Sequence, residues 1–387
     1  TWKSCSSGIQ QARLINMSLV AWIQLLLIGF AIGACLLLVL WWKSKTFSFH
    51  RLVLLALFFT FDLILFGAFT RLTDSGLGCP DWPGCYGLSN PVAALNQIRE
   101  AENLMPTGPV TLSKAWIEML HRYFAMGVGF LIIVITVWAW LRRQQFGVRI
   151  AQTASFILLL VCVQGAFGAW TVTLKLQPII VTAHLMLGLS LLAALTYLSS
   201  LSSKLDHETY GHQKVSSYRM NRGSIWFALM VLMIQIFLGG WVSTNYAVLA
   251  CDDFPLCHGS LFPAMNFSEG FGLWRELGKT VDGVHLSIEG LRAIHWAHRM
   301  AAVLALSVLF FLGLKTLRAA IVSANPELRR WAFALLSLCI IQLITGMSNI
   351  ILDWPLVAAL LHTGGAAAIL VVLVRMLTLS AEEFDRV

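Results

Sequence analysis

Four histidines carry the chemistry open to this sequence. His121 and His184 lie 63 residues apart (184 − 121), and His298 and His362 lie 64 apart (362 − 298). Arginine directly follows each first member, as Arg122 or Arg299, and each second member stands 20 residues after a glutamine, Gln164 or Gln342. All four fall near the start of long apolar runs, which puts the imidazoles of a pair at one level, about 8–9 Å below the interface at about 1.5 Å per residue. Two neutral imidazoles at one level on neighbouring helices can hold an iron porphyrin from both faces. A lone intramembrane histidine often serves only to hydrogen-bond a neighbour, but two matched pairs point to metal. Zinc would need further ligands at the same level in both places, and none recurs. The pattern reads as two haem sites, with His121, His184, His298 and His362 as iron ligands.

The pairs differ in their surroundings. Glu118 stands three residues before His121, where His295 stands three before His298. That spacing puts both side chains on one helix face. A carboxylate one turn from an iron ligand can accept a proton or place a water molecule; its other reading is an interfacial group bonded to Arg122 or to water. The asymmetry favours chemistry, with Glu118 as the catalytic group beside a haem that is modified and a resident redox haem in the second site. His295 is an alternative ligand to His298, although the matched spacings favour His298. Arg122 and Arg299 suit haem propionates, or simply snorkel. Asp62, with Ile234 at its repeat position, suits a proton path or a helix–helix hydrogen bond. Cys79 and Cys85, like Cys251 and Cys257, form a Cys-x5-Cys pair with Pro two residues before the second Cys and Gly two after it. On an oxidising face each pair can close a disulfide, either as a clip over a haem mouth or as a redox-active pair.

These residues must be positioned by helices in lipid. Of the 387 residues 58% are hydrophobic and only 12% charged, about half the charged share of a soluble domain. That excludes a soluble enzyme and a nucleic-acid binder, and the net charge of +8 reads as a topology signal. Nine apolar runs are long enough to span a bilayer: about 18–42, 52–71, 116–141, 150–173, 178–200, 225–248, 292–317, 331–352 and 356–378. The first lacks a convincing cleavage site and reads as a retained helix. Lys43, Lys45, Arg51, Arg142, Arg143, Arg149, Lys204, Lys214, Arg219, Arg222, Lys315, Arg318, Arg329 and Arg330 fall in one set of connections. The opposite loops, 72–115 and 250–291, are mixed or acidic. The positive-inside rule then places the cysteine loops outside, the N-terminus outside and the C-terminus in the cytoplasm.

Residues 67–87, GAFTRLTDSGLGCPDWPGCYG, repeat as 239–259, GGWVSTNYAVLACDDFPLCHG, at an offset of 172 (239 − 67). With the histidine spacings, this implies an internal duplication of four-helix units. Each unit has an even number of spans, so both share one orientation about an axis along the membrane normal. The expected fold is an all-α polytopic membrane protein of two tandem, pseudo-symmetric four-helix bundles plus an extra N-terminal helix. The expected boundaries are 1–50 for the N-terminal segment, 51–203 for the first bundle, 204–224 for a cytoplasmic linker and 225–380 for the second bundle.

Taken together, TRLTDSGLGCPDWPGCYG at 70–87, E-x-x-H-R at 118–122, His184, His298-Arg299 and His362 resemble the haem A synthase family over about 52–378. That resemblance implies oxidation of the C8 methyl of haem O to a formyl group in two successive steps, with a resident haem b in the C-terminal half. It implies that His121 and His184 bracket haem O and its product haem A, that His298 and His362 ligate haem b, and that Glu118 is the catalytic carboxylate. It also implies disulfides Cys79–Cys85 and Cys251–Cys257 and a partnership with haem O synthase. The extra first helix departs from the family's eight-helix core. Two rivals share the histidines: a di-haem, quinone-linked electron-transfer cytochrome b, and a haem carrier. The expected partners are haem O, membrane lipid, an electron acceptor whose identity is left open with a quinone as one candidate, and no nucleic acid, with a homo-oligomer left open. A bacterial plasma membrane is the favoured location.

Overall fold

The computed structural model describes residues 2–43, 48–207 and 221–382. Among them the regular structure is helical, with isolated bridges in the loops in place of strands. The helices are α1 Trp2–Lys43, α2 Phe49–Leu72, α3 Leu95–Leu104, α4 Leu112–Leu141, α5 Arg143–Phe146 and α6 Val148–Thr173. They continue as α7 Pro178–His207, α8 Arg222–Thr244, α9 Phe267–Gly270, α10 Ile288–Val322, α11 Pro326–Ile351 and α12 Leu356–Glu382. Nine helices among the described residues are long and apolar enough to cross a membrane, matching the nine runs read from the sequence. Their outward faces carry Leu159, Phe311, Leu343 and similar exposed apolar side chains, as a lipid-facing surface requires. This is an integral membrane protein. Most of the expected linker 204–224 lies outside the described residues.

Several helices begin earlier than the apolar runs suggest. Helix α4 starts at Leu112, where the Thr111 side chain accepts from the Lys114 N–H at 3.3 Å, and α10 starts at Ile288, where Ser287 accepts from Gly290 at 3.1 Å. Capping hydroxyls satisfy the free amides of a first turn that is too polar to count as apolar.

The helices pack in two closed rings. In one, α2 lies against α4 and α7, and α6 lies against α4 and α7; in the other, α8 lies against α10 and α12, and α11 lies against α10 and α12. Helix α1 packs mainly on α4, and its Trp22 meets Trp82 of the first long loop edge to face, with centroids 4.9 Å apart. Against α4, Gly29 and Gly33 let the backbones approach: a Cβ on Gly29 would stand 2.6 Å from Met126 Cβ. Small residues at such spacing are how helices gain dispersion contact in lipid. Each ring has a dry core at the end away from the long loops. Leu52, Leu131, Ile135, Ile157 and Leu195 fill the first, and Ile225, Leu232, Leu335, Leu370 and Leu373 fill the second.

The rings meet through α7 with α8 and α12, and through α2 with α12. Three polar contacts across this junction join residues separated by a repeat offset. Arg71 donates to the Ser243 carbonyl at 2.7 Å, the Tyr246 hydroxyl donates to Asp74 at 2.5 Å, and Thr378 donates to Ser200 at 3.1 Å. Arg71 also pairs with Asp74 at 3.2 Å and lies 4.0 Å over the Tyr246 ring. Arg71→Ala should therefore loosen the junction at the loop end by about 1–3 kcal/mol, and Tyr246→Phe by about 1 kcal/mol. Thermal unfolding in detergent reads both; an unchanged midpoint in Arg71→Ala would show that the contact carries no stability.

Candidate functional site

Each of the four histidines faces a glycine on the membrane-spanning helix that precedes its own in the chain. A Cβ on Gly67 of α2 would lie 3.2 Å from His121 Cε1, and one on Gly168 of α6 would lie 3.1 Å from His184 Cε1. In the other ring a Cβ on Gly239 of α8 would stand 2.9 Å from His298 Cε1, and one on Gly346 of α11 would stand 3.2 Å from His362 Cε1. Any larger residue would push the rings aside. The glycines thus admit an imidazole edge-on between two helices. His121 and His184 lie within electrostatic reach of each other, as do His298 and His362, so the structure brings together the two pairs that the spacing singled out. Phe66 meets His121 edge to face, with centroids 5.6 Å apart.

The donor set suits a porphyrin iron. The Nδ1 atoms of His121 and His184 are buried without a hydrogen-bond partner, so no side chain among the described residues holds either ring through that atom. Among the described residues no three His, Cys, Asp or Glu side chains converge on one point. Two imidazoles per site are what an iron already held by four porphyrin nitrogens would take.

Glu118 and Arg122 sit between this level and the first long loop. The buried Glu118 carboxylate accepts the Cys79 N–H at 2.8 Å and pairs with Arg122. Arg122 also donates to the carbonyls of Asp81 (3.0 Å), Pro83 (3.1 Å) and Gly84 (2.6 Å). Arg299 repeats the arrangement, donating to Asp253 (2.9 Å), Leu256 (2.8 Å) and Cys251 (3.0 Å) carbonyls, and its Nε donates to His295 at 3.2 Å. His295 is thus engaged by Arg299, one turn from His298. Both guanidiniums, expected to meet propionates or to snorkel, hold the roof loops. Asp62 is half-buried on α2 and touches neither pair through a hydrogen bond among the described residues.

Each roof is closed by a disulfide, Cys79–Cys85 or Cys251–Cys257. An aspartate organises the turn inside it. Asp81 accepts from the amides of Tyr86 (2.6 Å) and Gly87 (2.5 Å), and Asp253 accepts from those of His258 (2.7 Å) and Gly259 (2.9 Å). Gly87 and Gly259 have φ of 73° and 75°, the left-handed region that glycine enters without strain. The Gly259 amide, and after it the His258 amide, holds the Asp253 carboxyl below the usual carboxylate range. Sequence reading missed Arg275, a buried residue whose Nη2 donates to Asn245 at 2.5 Å and helps fold the second loop; nothing in its residue type or spacing marked it out from Lys279 in the same loop.

Residues 50–374 match the family described as COX15-CtaA, cytochrome oxidase assembly protein. The chain belongs to the COX15-CtaA family. The match runs from α2 into α12 and takes in both histidine pairs, Glu118 and both roofs. Among its relatives is the haem A synthase of Shewanella oneidensis, 36% identical over 325 residues, which cover 84% of this chain and 94% of the relative. Haem A synthases of Alkalihalophilus pseudofirmus and Chelativorans sp. are each 28% identical, over 78% and 80% of this chain and 86% and 84% of the relatives.

Two outcomes follow from the roof contacts. Arg122→Ala leaves Glu118 buried without its cation and should cost about 3–5 kcal/mol. Glu118→Gln keeps an acceptor for the Cys79 amide and should cost markedly less. Detergent melts of the two variants rank them, and a reversed order would mean the pair does not hold the roof. For Asp253, a lowered folded pKa means that its contribution is complete above about pH 4, the unfolded value, and is lost as pH falls through the folded one. Exchange of the His258 and Gly259 amides should accelerate beyond its intrinsic rate only in that acid window; acceleration near neutral pH would contradict the assignment.

Proposed function

We propose that this chain is a haem A synthase that oxidises the C8 methyl of haem O to a formyl group in two successive steps for cytochrome oxidase assembly. The observation that carries the reading is the pairing of two glycine-faced imidazole clamps with a carboxylate, Glu118, found beside only one of them. In this reading α2, α4, α6 and α7 form the first of two tandem, pseudo-symmetric bundles (51–203), and α8, α10, α11 and α12 form the second (225–380). The junction contacts at repeat offsets support it, because near a two-fold axis each residue meets its own equivalent.

His121 and His184 orient haem O by binding its iron from both faces, which fixes the porphyrin edge relative to Glu118. Glu118, one turn from His121, accepts a proton as the methyl carbon is oxidised or places the water that supplies oxygen. Arg122 balances its charge and keeps it aimed by way of the roof. His298 and His362 would hold a haem b, which would supply a route for the electrons. The Cys79–Cys85 and Cys251–Cys257 roofs cover the mouths, where propionates emerging from either site would share Arg122 or Arg299 with the loop carbonyls.

By the positive-inside rule the roofs face outward and the Lys/Arg-rich connections face the cytoplasm of a bacterial plasma membrane. Haem O reaches the site within the bilayer, from a haem O synthase, and the electrons leave to an acceptor of the quinone kind.

Haem extracted from membranes that co-express this chain with a haem O synthase, separated by chromatography and identified by mass, tests the reading. Haem A or its hydroxymethyl precursor should appear, and its yield should fall by about 10²–10⁴-fold in Glu118→Gln. Unmodified haem O and haem B alone, from well-folded protein, would instead support a carrier or an electron-transfer cytochrome.

A further inference from the structure

The four imidazoles share a facing glycine, yet they differ in what reaches Nδ1. In the second ring Thr345 Oγ1 lies 3.0 Å from His362 Nδ1 and donates to the Ile341 carbonyl at 2.7 Å. A hydroxyl has one proton, and here the carbonyl one turn back takes it. Toward His362, Thr345 therefore presents a lone pair, and the bond forms only when Nδ1 carries the proton. The Nε2 lone pair is then bare. On the other side the Gln235 amide lies 3.1 Å from His298 Nδ1. The Gln235 Nε2 also lies 3.3 Å from the His298 carbonyl and 3.5 Å from His298 Nε2, while its Oε1 is buried without a partner. Once Nε2 of the imidazole is taken by iron and Nδ1 carries the proton, a half-turn of the amide gives up the carbonyl bond and brings Oε1 to that proton.

The first ring lacks both of these side chains, although the Gln164 carbonyl approaches His184 as the Gln342 carbonyl approaches His362. Position 235 corresponds to Leu63 (235 − 172) and position 345 to Phe167 (345 − 178), using the offsets that relate Gly239 to Gly67 and Gly346 to Gly168. Neither side chain can accept a hydrogen bond, and the Nδ1 atoms of His121 and His184 are buried unpartnered.

We infer that Thr345 and Gln235 are positioning residues that fix the tautomer and ring orientation of His362 and His298, and that their absence from the first ring makes its imidazole pair an exchangeable clamp. The inference rests on the second ring holding a resident haem. An acceptor at Nδ1–H raises the basicity of Nε2, strengthens its bond to iron and favours the oxidised metal. A resident group needs that hold. A porphyrin that arrives as substrate and departs as product is served by ligands that let go.

The test uses purified full-length protein carrying its haem. Thr345→Val removes the acceptor at nearly constant shape, Thr345→Ser restores it, and Gln235→Leu installs the residue of the first ring. Transfer of haem to excess apomyoglobin gives the release rate, and a redox titration gives the midpoint potential. Thr345→Val and Gln235→Leu should release haem about 10–100-fold faster with the potential moved positive, while Thr345→Ser follows the parent in both. A purely structural role would move the melting midpoint without the potential. If the valine variant does not accumulate, Gln235→Leu decides. Unchanged release and potential, in protein whose haem is lost on His362→Ala, would overturn the inference alone. Haem that survives His362→Ala would overturn the resident-haem reading and the inference with it.

Discussion

Backbone amides and carbonyls in hydrocarbon can be satisfied only within the segment that carries them, so a chain this apolar must cross as helices and do its chemistry with side chains aimed between them. Those side chains then compete with packing for the same space. Here glycine resolves the competition. Gly67, Gly168, Gly239 and Gly346 open one edge-on slot each, and each slot takes one imidazole. The largest apolar clusters fill the opposite ends of the rings, where Leu131, Ile135 and Leu195, or Leu335, Leu370 and Leu373, are fully or almost fully buried, and smaller ones around Met119 and Trp241 lie beneath the loops. The polar machinery lies toward the loop end, set among these smaller clusters.

The roofs follow from the same constraint. A loop over a polar mouth needs its carbonyls satisfied, and Arg122 and Arg299 do this for turns already closed by disulfides and by Asp81 and Asp253. The repeat makes the two roofs alike, while most other positions differ between the two rings. Glu118 against His295, Leu63 against Gln235 and Phe167 against Thr345 are three positions where equivalent backbones carry different chemistry. In the proposed reading these differences divide the labour between a site that transforms its haem and a site that keeps one.

Much of this was legible in the sequence because lipid imposes simple patterns. The nine spans, the paired histidines and the matched Cys-x5-Cys loops all leave periodic or repeated marks. The helix starts at Leu112 and Ile288 were missed because Thr111 and Ser287 cap polar first turns that an apolar count ignores. The roof contacts of Arg122 and Arg299 were missed for another reason. Their partners are backbone carbonyls about 40 residues away, and a carbonyl has no residue type to read. The junction contacts Arg71–Ser243 and Asp74–Tyr246 join unlike residues at equivalent positions, which only the geometry brings together. Gly67 and Gly239 were visible as an identity within the repeat, but their purpose required the imidazoles beside them.

Two separate imidazole clamps with different tenants are the centre of this account, and ligation is the property that distinguishes it. Near-infrared magnetic circular dichroism of protein purified from membranes lacking haem O synthase reads the axial ligands directly. The expected spectrum is that of one tightly held bis-imidazole haem b, lost in His298→Ala and in His362→Ala and kept in His121→Ala and His184→Ala. A haem whose spectrum depends instead on His121 and His184, and persists without His298 and His362, would contradict it.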